Sequence, residues 1–482
     1  MRSLLALAAL PLAPLASAEK VLGAYIFARH GDRTAKKTPP TELTDLGYRE
    51  VFLTGSYYRR RYVAADSPSR IAGISEDLVV PSQLSASAPA DEVLQNSATG
   101  FLQGLYPPVG SSAAKETLRN GTTVEAPLDG YQLIPLSVLD SGAGSEDASW
   151  LQGASNCPKA EISSNDYFSS AEYNRLLAST GDFYRSLSPM LNRTFSAADM
   201  SFRNAYAIFD YLNVASIHNS SSDFPSADLL TDDVYHRLLV LANVHEYGLA
   251  YNASEPIRAV TGAVLAGEVL TALNRTISSG GDNSTAKLNV QFGAYGTFLS
   301  FFGLAQLPAV SANFTGIPDY ASSMVWELVT NSTASGFPPA SEISVRFLFH
   351  NGTLTGGAEP TPYPLFGQDQ TLLPWSEFAA GMGKIAISST QQWCQACGGT
   401  TGSCASVTSS SGSNSSSATG TSSSGGVSNA VAGVIGAMVT LGVVLGLEAL
   451  FLLFGGFRLA RKKKATPPAA ATTAATADEK KV

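Results

Sequence analysis

Val431 to Phe454 is an almost unbroken apolar run of about two dozen residues, and it decides where the rest of the chain can fold. At a rise of about 1.5 Å per residue such a run covers the ~30 Å of hydrocarbon in a bilayer. Residues 430-457 are therefore expected to form one membrane-spanning helix. Arg458, Arg461, Lys462, Lys463 and Lys464 follow at once, and clustered Lys and Arg beside a span stay on the cytoplasmic side. Residues 458-482 are then a cytoplasmic basic tail, and the preceding chain lies outside the cell, in single-pass type I topology at the plasma membrane. A cleaved glycolipid-anchor signal would stop at its apolar run instead of continuing into a charged tail. Glu448 falls inside the span but toward its cytoplasmic end, where an interfacial or protonated carboxyl is the simplest expectation.

The other end agrees. Arg2, the apolar run Leu4 to Leu15 and the small residues Ala16, Ser17 and Ala18 have the form of a secretory signal peptide over residues 1-18. Asn120, Asn192, Asn219, Asn252, Asn274, Asn283, Asn313, Asn331, Asn351 and Asn414 all begin Asn-X-Ser/Thr, so N-linked glycans are expected, each requiring a surface position. Cys157, Cys394, Cys397 and Cys404 are an even set in an oxidising compartment, which points to two disulfides with three possible connectivities. A zinc or redox reading of Cys394 and Cys397 is weak, because a structural zinc site wants four ligands. With the signal, span and tail set aside, 23 basic and 36 acidic residues remain, a net charge near -13. That balance offers no basic footprint for nucleic acid.

Residues 399-429 are nearly all Ser, Thr, Gly and Ala and bury too little to fold, so they are expected as a stalk. The folded unit is residues 19-398. Its first element, Val21 to Ala28, is a short apolar run of strand-forming type that ends in Arg29-His30-Gly31. Helical spacing follows over Ser196 to Val214, Ser226 to Leu249 and Ala259 to Leu273, whereas Leu288 to Leu307 and Ile343 to Phe349 return to strand-like or mixed patterns. Strands near both ends with a helix-rich middle imply an α/β core carrying a helical insertion.

In open α/β sheets functional groups collect at the carboxyl ends of strands. Arg29-His30-Gly31-Asp32-Arg33 occupies such an end. Arginine presents planar donors that match phosphate oxygens, histidine can accept a phosphoryl group, and Gly31 permits close backbone approach. Here the sequence resembles the histidine acid phosphatases, in particular their fungal secreted and membrane-anchored branch, whose signature is Arg-His-Gly-X-Arg-X-Pro. Arg29, His30, Gly31 and Arg33 match, and Ala35 stands in place of Pro. The likeness continues through Leu43 to Arg49, Gly55 to Tyr62, Phe101 to Pro108 and Ile257 to Leu273. It implies a phosphoglycerate-mutase-like fold, a three-layer α/β/α core with a smaller, mainly helical cap. It also implies His30 as nucleophile, Arg29 and Arg33 as phosphate-binding residues, a small phosphorylated substrate, and no metal or other cofactor.

Two parts of the family pattern are altered. Leu84 to Ala90, where a further phosphate-clamping Arg belongs, contains no cation, and in Phe292 to Leu299 Tyr295 replaces the family His while Gly296 replaces the proton-donating Asp. Asp32 and Glu246 are the carboxylates that could substitute. His245-Glu246 would be a pair for that role, though an ordinary polar site is the plainer expectation. His350 reads as a strand-end residue beside a sequon, and His218 and His236 show no partner pattern. The expected function is a cell-surface acid phosphatase acting through phosphohistidine. The alternative is a degenerate relative that binds phosphate or a phosphorylated ligand; protein partners are not specified.

Overall fold

A computed structural model describes residues 19-400, apart from 111-112, 114, 140-155, 221 and 225, together with Cys404 and Ala405. The expected signal peptide, the membrane span with Glu448, the tail, Asn414 and nearly all of the stalk lie outside the described residues. The described sheet strands are β1 (Lys20–Arg29), β2 (Leu84–Pro89), β5 (Ser137–Leu139), β6 (Leu288–Gly293), β7 (Ser323–Thr330), β8 (Ser344–His350), β9 (Thr361–Pro362) and β10 (Leu372–Pro374), while β3 (Lys115–Thr117) and β4 (Thr123–Glu125) form a separate hairpin. Across the sheet the order is β10-β8-β7-β1-β6-β2-β5, with β9 on β8. From β1 through β6 and β2 to β5 the pairing is parallel; β7, β8, β9 and β10 are antiparallel to their neighbours.

Burial on both faces explains the near-continuous apolar sequence of β1. Ala24, Ile26 and Ala28 pack with α1 (Asp45–Tyr58) and α2 (Glu92–Leu105), whereas Tyr25 and Phe27 pack with residues of the helices on the opposite face. A short turn, α3 (Pro127–Gly130), precedes the insertion. The insertion comprises α4 (Pro158–Asp166), α5 (Ala171–Ser179), α6 (Gly181–Ser186), α7 (Ser188–Leu191), α8 (Ala205–His218) and α9 (Asp232–Ala250), and much of it encloses an apolar core of its own. The second helical layer comprises α10 (Val260–Ser278), α11 (Tyr295–Leu304) and α12 (Trp375–Ile385), and the last helix is α13 (Thr390–Cys397). The three-layer α/β/α core with a mainly helical cap is thus as expected.

Element boundaries differ in instructive places. Ser196 to Asn204 is turn and 3-10 helix, and α9 starts only at Asp232, where the Thr231 side chain accepts a hydrogen bond from Val234 N. Leu288 to Leu307 divides into β6 and α11. The helix over Gly55 to Tyr62 passes into a π-helical turn at Arg59–Val63. Pro256–Ser278 is apolar and long enough to cross a membrane, but α10 within it is a core helix packed against β1 and α11. Cys157 pairs with Cys397 and Cys394 with Cys404, so neither half of Cys394-X-X-Cys397 pairs with the other. The nine described sequon asparagines are exposed, except for half-buried Asn252.

One contact sets the position of the loop after β1. A Cβ on Gly47 would lie 2.0 Å from Asp32 O, and one on Gly31 would lie 2.1 Å from Gly47 O, so the loop and the first turn of α1 touch backbone to backbone. Glycine to alanine inside a helix normally stabilises by about 1 kcal/mol. At Gly47 the sign reverses, because overpacking typically costs about 1 to 3 kcal/mol. Gly47→Ala is expected to lower the midpoint of thermal unfolding followed by circular dichroism; a higher midpoint would show that this contact is not tight.

Candidate active site

The carboxyl ends of β1 and β6 are level, with Arg29 in register with Gly293. Backbone bonds fasten the loop: Arg29 N donates to Ser322 O (2.9 Å), Ala321 N to His30 O (2.9 Å) and Thr44 N to Asp32 O (3.1 Å). Gly31 N donates to Ser97 Oγ on α2 at 3.3 Å. His30 is buried, with Nδ1 2.7 Å from Gly31 O. A carbonyl can only accept, so Nδ1 carries a proton, and in the neutral ring Nε2 then carries the lone pair. That is the tautomer a nucleophilic imidazole requires.

The two arginines of the motif lie in different surroundings. Arg29 donates to Pro318 O, and its guanidinium carbon lies 4.6 Å from the Tyr320 ring centre and 5.5 Å from that of Tyr295. Tyr320 also lies beside His30, with ring centres 5.6 Å apart. Arg33 is fully buried and bound by the cap, its NH1 lying 3.0 Å from Asp210 Oδ1 and 3.2 Å from Asp210 Oδ2, and its NH2 3.1 Å from Tyr206 OH. Lys36 adds another cation, its Nζ 5.5 Å from the Tyr206 ring centre and 5.4 Å from that of Tyr295. Burial pushes the Tyr206 hydroxyl up to about 12, with Asp210 adding to the rise, and burial likewise pushes Tyr320 up. Both phenols remain neutral donors at any ordinary pH.

Beside Arg29 lies a cavity of ≈ 240 Å³ whose walls include Tyr206, Asp210, Tyr320, Glu50 and Asp319. Glu50 Oε2 accepts from Asp32 N at 2.8 Å. Burial, aided by neighbouring Asp32, raises the Glu50 carboxyl from 4.5 to about 7. Asp32 itself is fully buried, and its Oδ2 accepts from Thr44 Oγ1 (2.5 Å) and lies 2.6 Å from Nε2 of His218 at the end of α8. The sequence showed no partner pattern for His218; its partner comes from the loop.

Of the positions that the sequence reading takes as altered, Tyr295 lies near Arg29, and both Tyr295 and Gly296 line a second cavity. No cation appears on β2; the chain there reaches Asp91, which caps α2 by accepting from Leu94 N. Tyr295 opens α11 and donates to Glu246 Oε2 at 2.7 Å, while Glu246 Oε1 lies 2.7 Å from His245 Nδ1. Glu246 therefore meets Tyr295, with the phenol proton pointing at it, and His245 is joined to Tyr295 only through Glu246. The His245 ring is packed among Tyr167, Phe168, Tyr173 and Phe202. Gly296 lines a separate cavity of ≈ 430 Å³, and a Cβ there would meet nothing within 4 Å. His350 ends β8, as expected.

Asp210, Tyr206, Tyr320 and Glu50 were not recognisable as site residues by motif. Two of them left a trace. Glu50 sits among the buried positions Gly47, Val51 and Thr54 of α1, and Asp210 lies between Tyr206 and Val214 on the buried side of α8. A carboxylate at apolar spacing on a helix is costly unless it has work or a partner.

The sequence pattern of the histidine phosphatase superfamily (branch 2) matches residues 37–350, starting just after the Arg29 to Arg33 loop. No curated protein matches the chain in sequence. Among solved structures, the apo phytase of Hafnia alvei is similar at 13% identity and a TM-score of 0.51, covering 80% of this chain and 99% of that one. The phytase of Klebsiella sp ASR1 shares 12% identity with a TM-score of 0.51, over 77% of this chain and 96% of that chain. That of Citrobacter braakii shares 13% with a TM-score of 0.51, over 78% and 99%. At such identity these structures speak to the fold.

Glu50 also has a measurable effect on stability. Its carboxyl is raised in the folded state, so its contribution is fully present below about 4.5 and is lost as pH rises through about 7. Glu50→Gln cannot ionise. Its unfolding midpoint is expected to gain on the wild type as pH is raised from 4.5 to 7, and a constant difference over that window would refute the assignment.

Proposed function

The chain belongs to the histidine phosphatase superfamily (branch 2), and we propose that it is a cell-surface phosphomonoesterase working through a phosphohistidine on His30. The observation that carries this reading is the fixed imidazole: Nδ1 tied to Gly31 O makes Nε2 the nucleophilic nitrogen, and the ring shares Tyr320 as a neighbour with the Arg29 guanidinium. Attack on phosphorus forms the N–P bond and breaks the P–O bond to the leaving alcohol, and Arg29 and Arg33 are the groups that can stabilise charge on the phosphoryl oxygens. Water then releases phosphate from His30. The phytases of similar fold make a phosphorylated polyol the first natural substrate to try.

A second reading, binding without efficient turnover, has specific support. Arg33 is engaged by Asp210, β2 lacks a cation, Gly296 has no proton to give, and Tyr295 directs its own to Glu246. General-acid assistance is worth about 10²- to 10⁴-fold, so its loss would leave a slow enzyme. Supporting a surface location are the signal-like start, the apolar run before a basic tail, the surface positions of the described sequons and the two disulfides.

The ectodomain, residues 19-398, is expected to release phosphate from an aryl phosphate ester at acidic pH, and His30→Ala to release none. Wild type and variant equally inactive, with phosphate still raising the unfolding midpoint of the wild type, would establish the binding reading instead. For the full chain in intact cells, external protease should remove the ectodomain and an N-glycosidase should lower its apparent mass. Protection from both would overturn the surface location.

A further inference from the structure

Three carboxylates line the cavity beside Arg29, and two of them are committed. Asp210 is ion-paired with Arg33 and also accepts from Lys36 N at 2.9 Å. Asp319 is at the exposed rim, with its Oδ2 accepting from Asn351 Nδ2 at 2.8 Å. The third, Glu50, makes no ion pair among the described residues; Oε2 takes the Asp32 amide, which leaves Oε1 to carry a proton. Asp32 is fully buried and engaged through Oδ2 by Thr44 and His218. Glu246 faces Tyr295 and lines the other cavity.

We infer that Glu50, standing in for the donor absent at Gly296, protonates the leaving oxygen in the reaction proposed above. This rests on the reading of His30 as nucleophile. As His30 Nε2 bonds to phosphorus and the P–O bond breaks, the Glu50 proton passes to the departing oxygen and an alcohol leaves. In the second half water attacks the phosphohistidine, the N–P bond breaks, and the water proton goes to the Glu50 carboxylate, restoring the acid. Position and availability both suit Glu50 to this proton transfer. It is on α1, a rigid element held against the nucleophile loop by the Gly31–Gly47 contact. The charged groups facing it are Arg29 from β1, Asp32 from the loop, and Asp319 from the segment before β7. The rise of its carboxyl to about 7 keeps it protonated through the acidic range.

The test uses the ectodomain and two substrates, an aryl phosphate whose leaving group needs no proton and an alkyl phosphate whose leaving group does. Gln at position 50 still accepts the Asp32 amide, so Glu50→Gln preserves the loop contact. It is expected to lower kcat on the alkyl ester by about a hundredfold or more while leaving the aryl ester within a few fold. Glu50→Asp, which can still donate, should recover part of the loss. The alkyl rate of the wild type should also fall as pH passes about 7, a limb that Glu50→Gln lacks. Labelling from a ³²P-aryl ester separates the two claims. If His30 is labelled but Glu50→Gln slows both esters equally, or neither, Glu50 is not the donor; if His30 is never labelled, the nucleophile reading falls and this inference with it.

Discussion

A guanidinium with no access to water needs a negative partner, and the one Arg33 takes comes from a different part of the fold. Arg33 leaves the core after β1, whereas Asp210 is on α8 of the cap, 177 residues further along the chain. Breaking such a buried pair by deleting one member typically costs about 3 to 5 kcal/mol, because the survivor remains buried and charged. The pair therefore keys cap to core. His218, at the end of the same helix, repeats the device by reaching Asp32, so two successive charges of the loop are answered by one helix. The cap is thereby part of the site.

The sheet supplies the other half of the arrangement. Parallel pairing of β1 with β6 brings the motif and the start of α11 to one level, which is why Arg29 and Tyr295 meet although they are far apart in sequence. Closeness to α1 is a matter of volume. Only two opposed glycines let the loop backbone lie on the helix, and that approach places Glu50 against the Asp32 amide.

What sequence could reveal follows the range of the interaction responsible. β1, the loop after it and α10 are local: an apolar run, a charged turn and a helical period, each within one window, and each is found where expected. The layered architecture was legible through family resemblance; the same resemblance named Arg29, His30 and Arg33, which the structure places at the end of β1 and in the loop after it. Asp210, Tyr320 and the partner of His218 depend on contacts between distant parts of the chain, for which one sequence carries no pattern. Disulfide pairing was undetermined for the same reason, since three connectivities satisfy four cysteines and only the packing of α13 on α4 selects one. The helix starts missed by periodicity are where a cap, Thr231, or a 3-10 turn decides the boundary.

On the sequence reading, Tyr295 and Gly296 stand where a His-Asp pair is expected, and the cavity at Arg29 has three carboxylates in its wall. Two are spent on Arg33 and Asn351, and a third, Glu50, stays half-buried and faces Arg29 without an ion pair among the described residues. Burying a carboxyl this way opposes folding at neutral pH, because desolvation penalises its charged form. A purely structural acceptor for the Asp32 amide would be met by glutamine without that penalty. A raised, cavity-lining glutamate is thus better accounted for by proton transfer than by packing, which makes Glu50 the feature on which the active and the degenerate readings part.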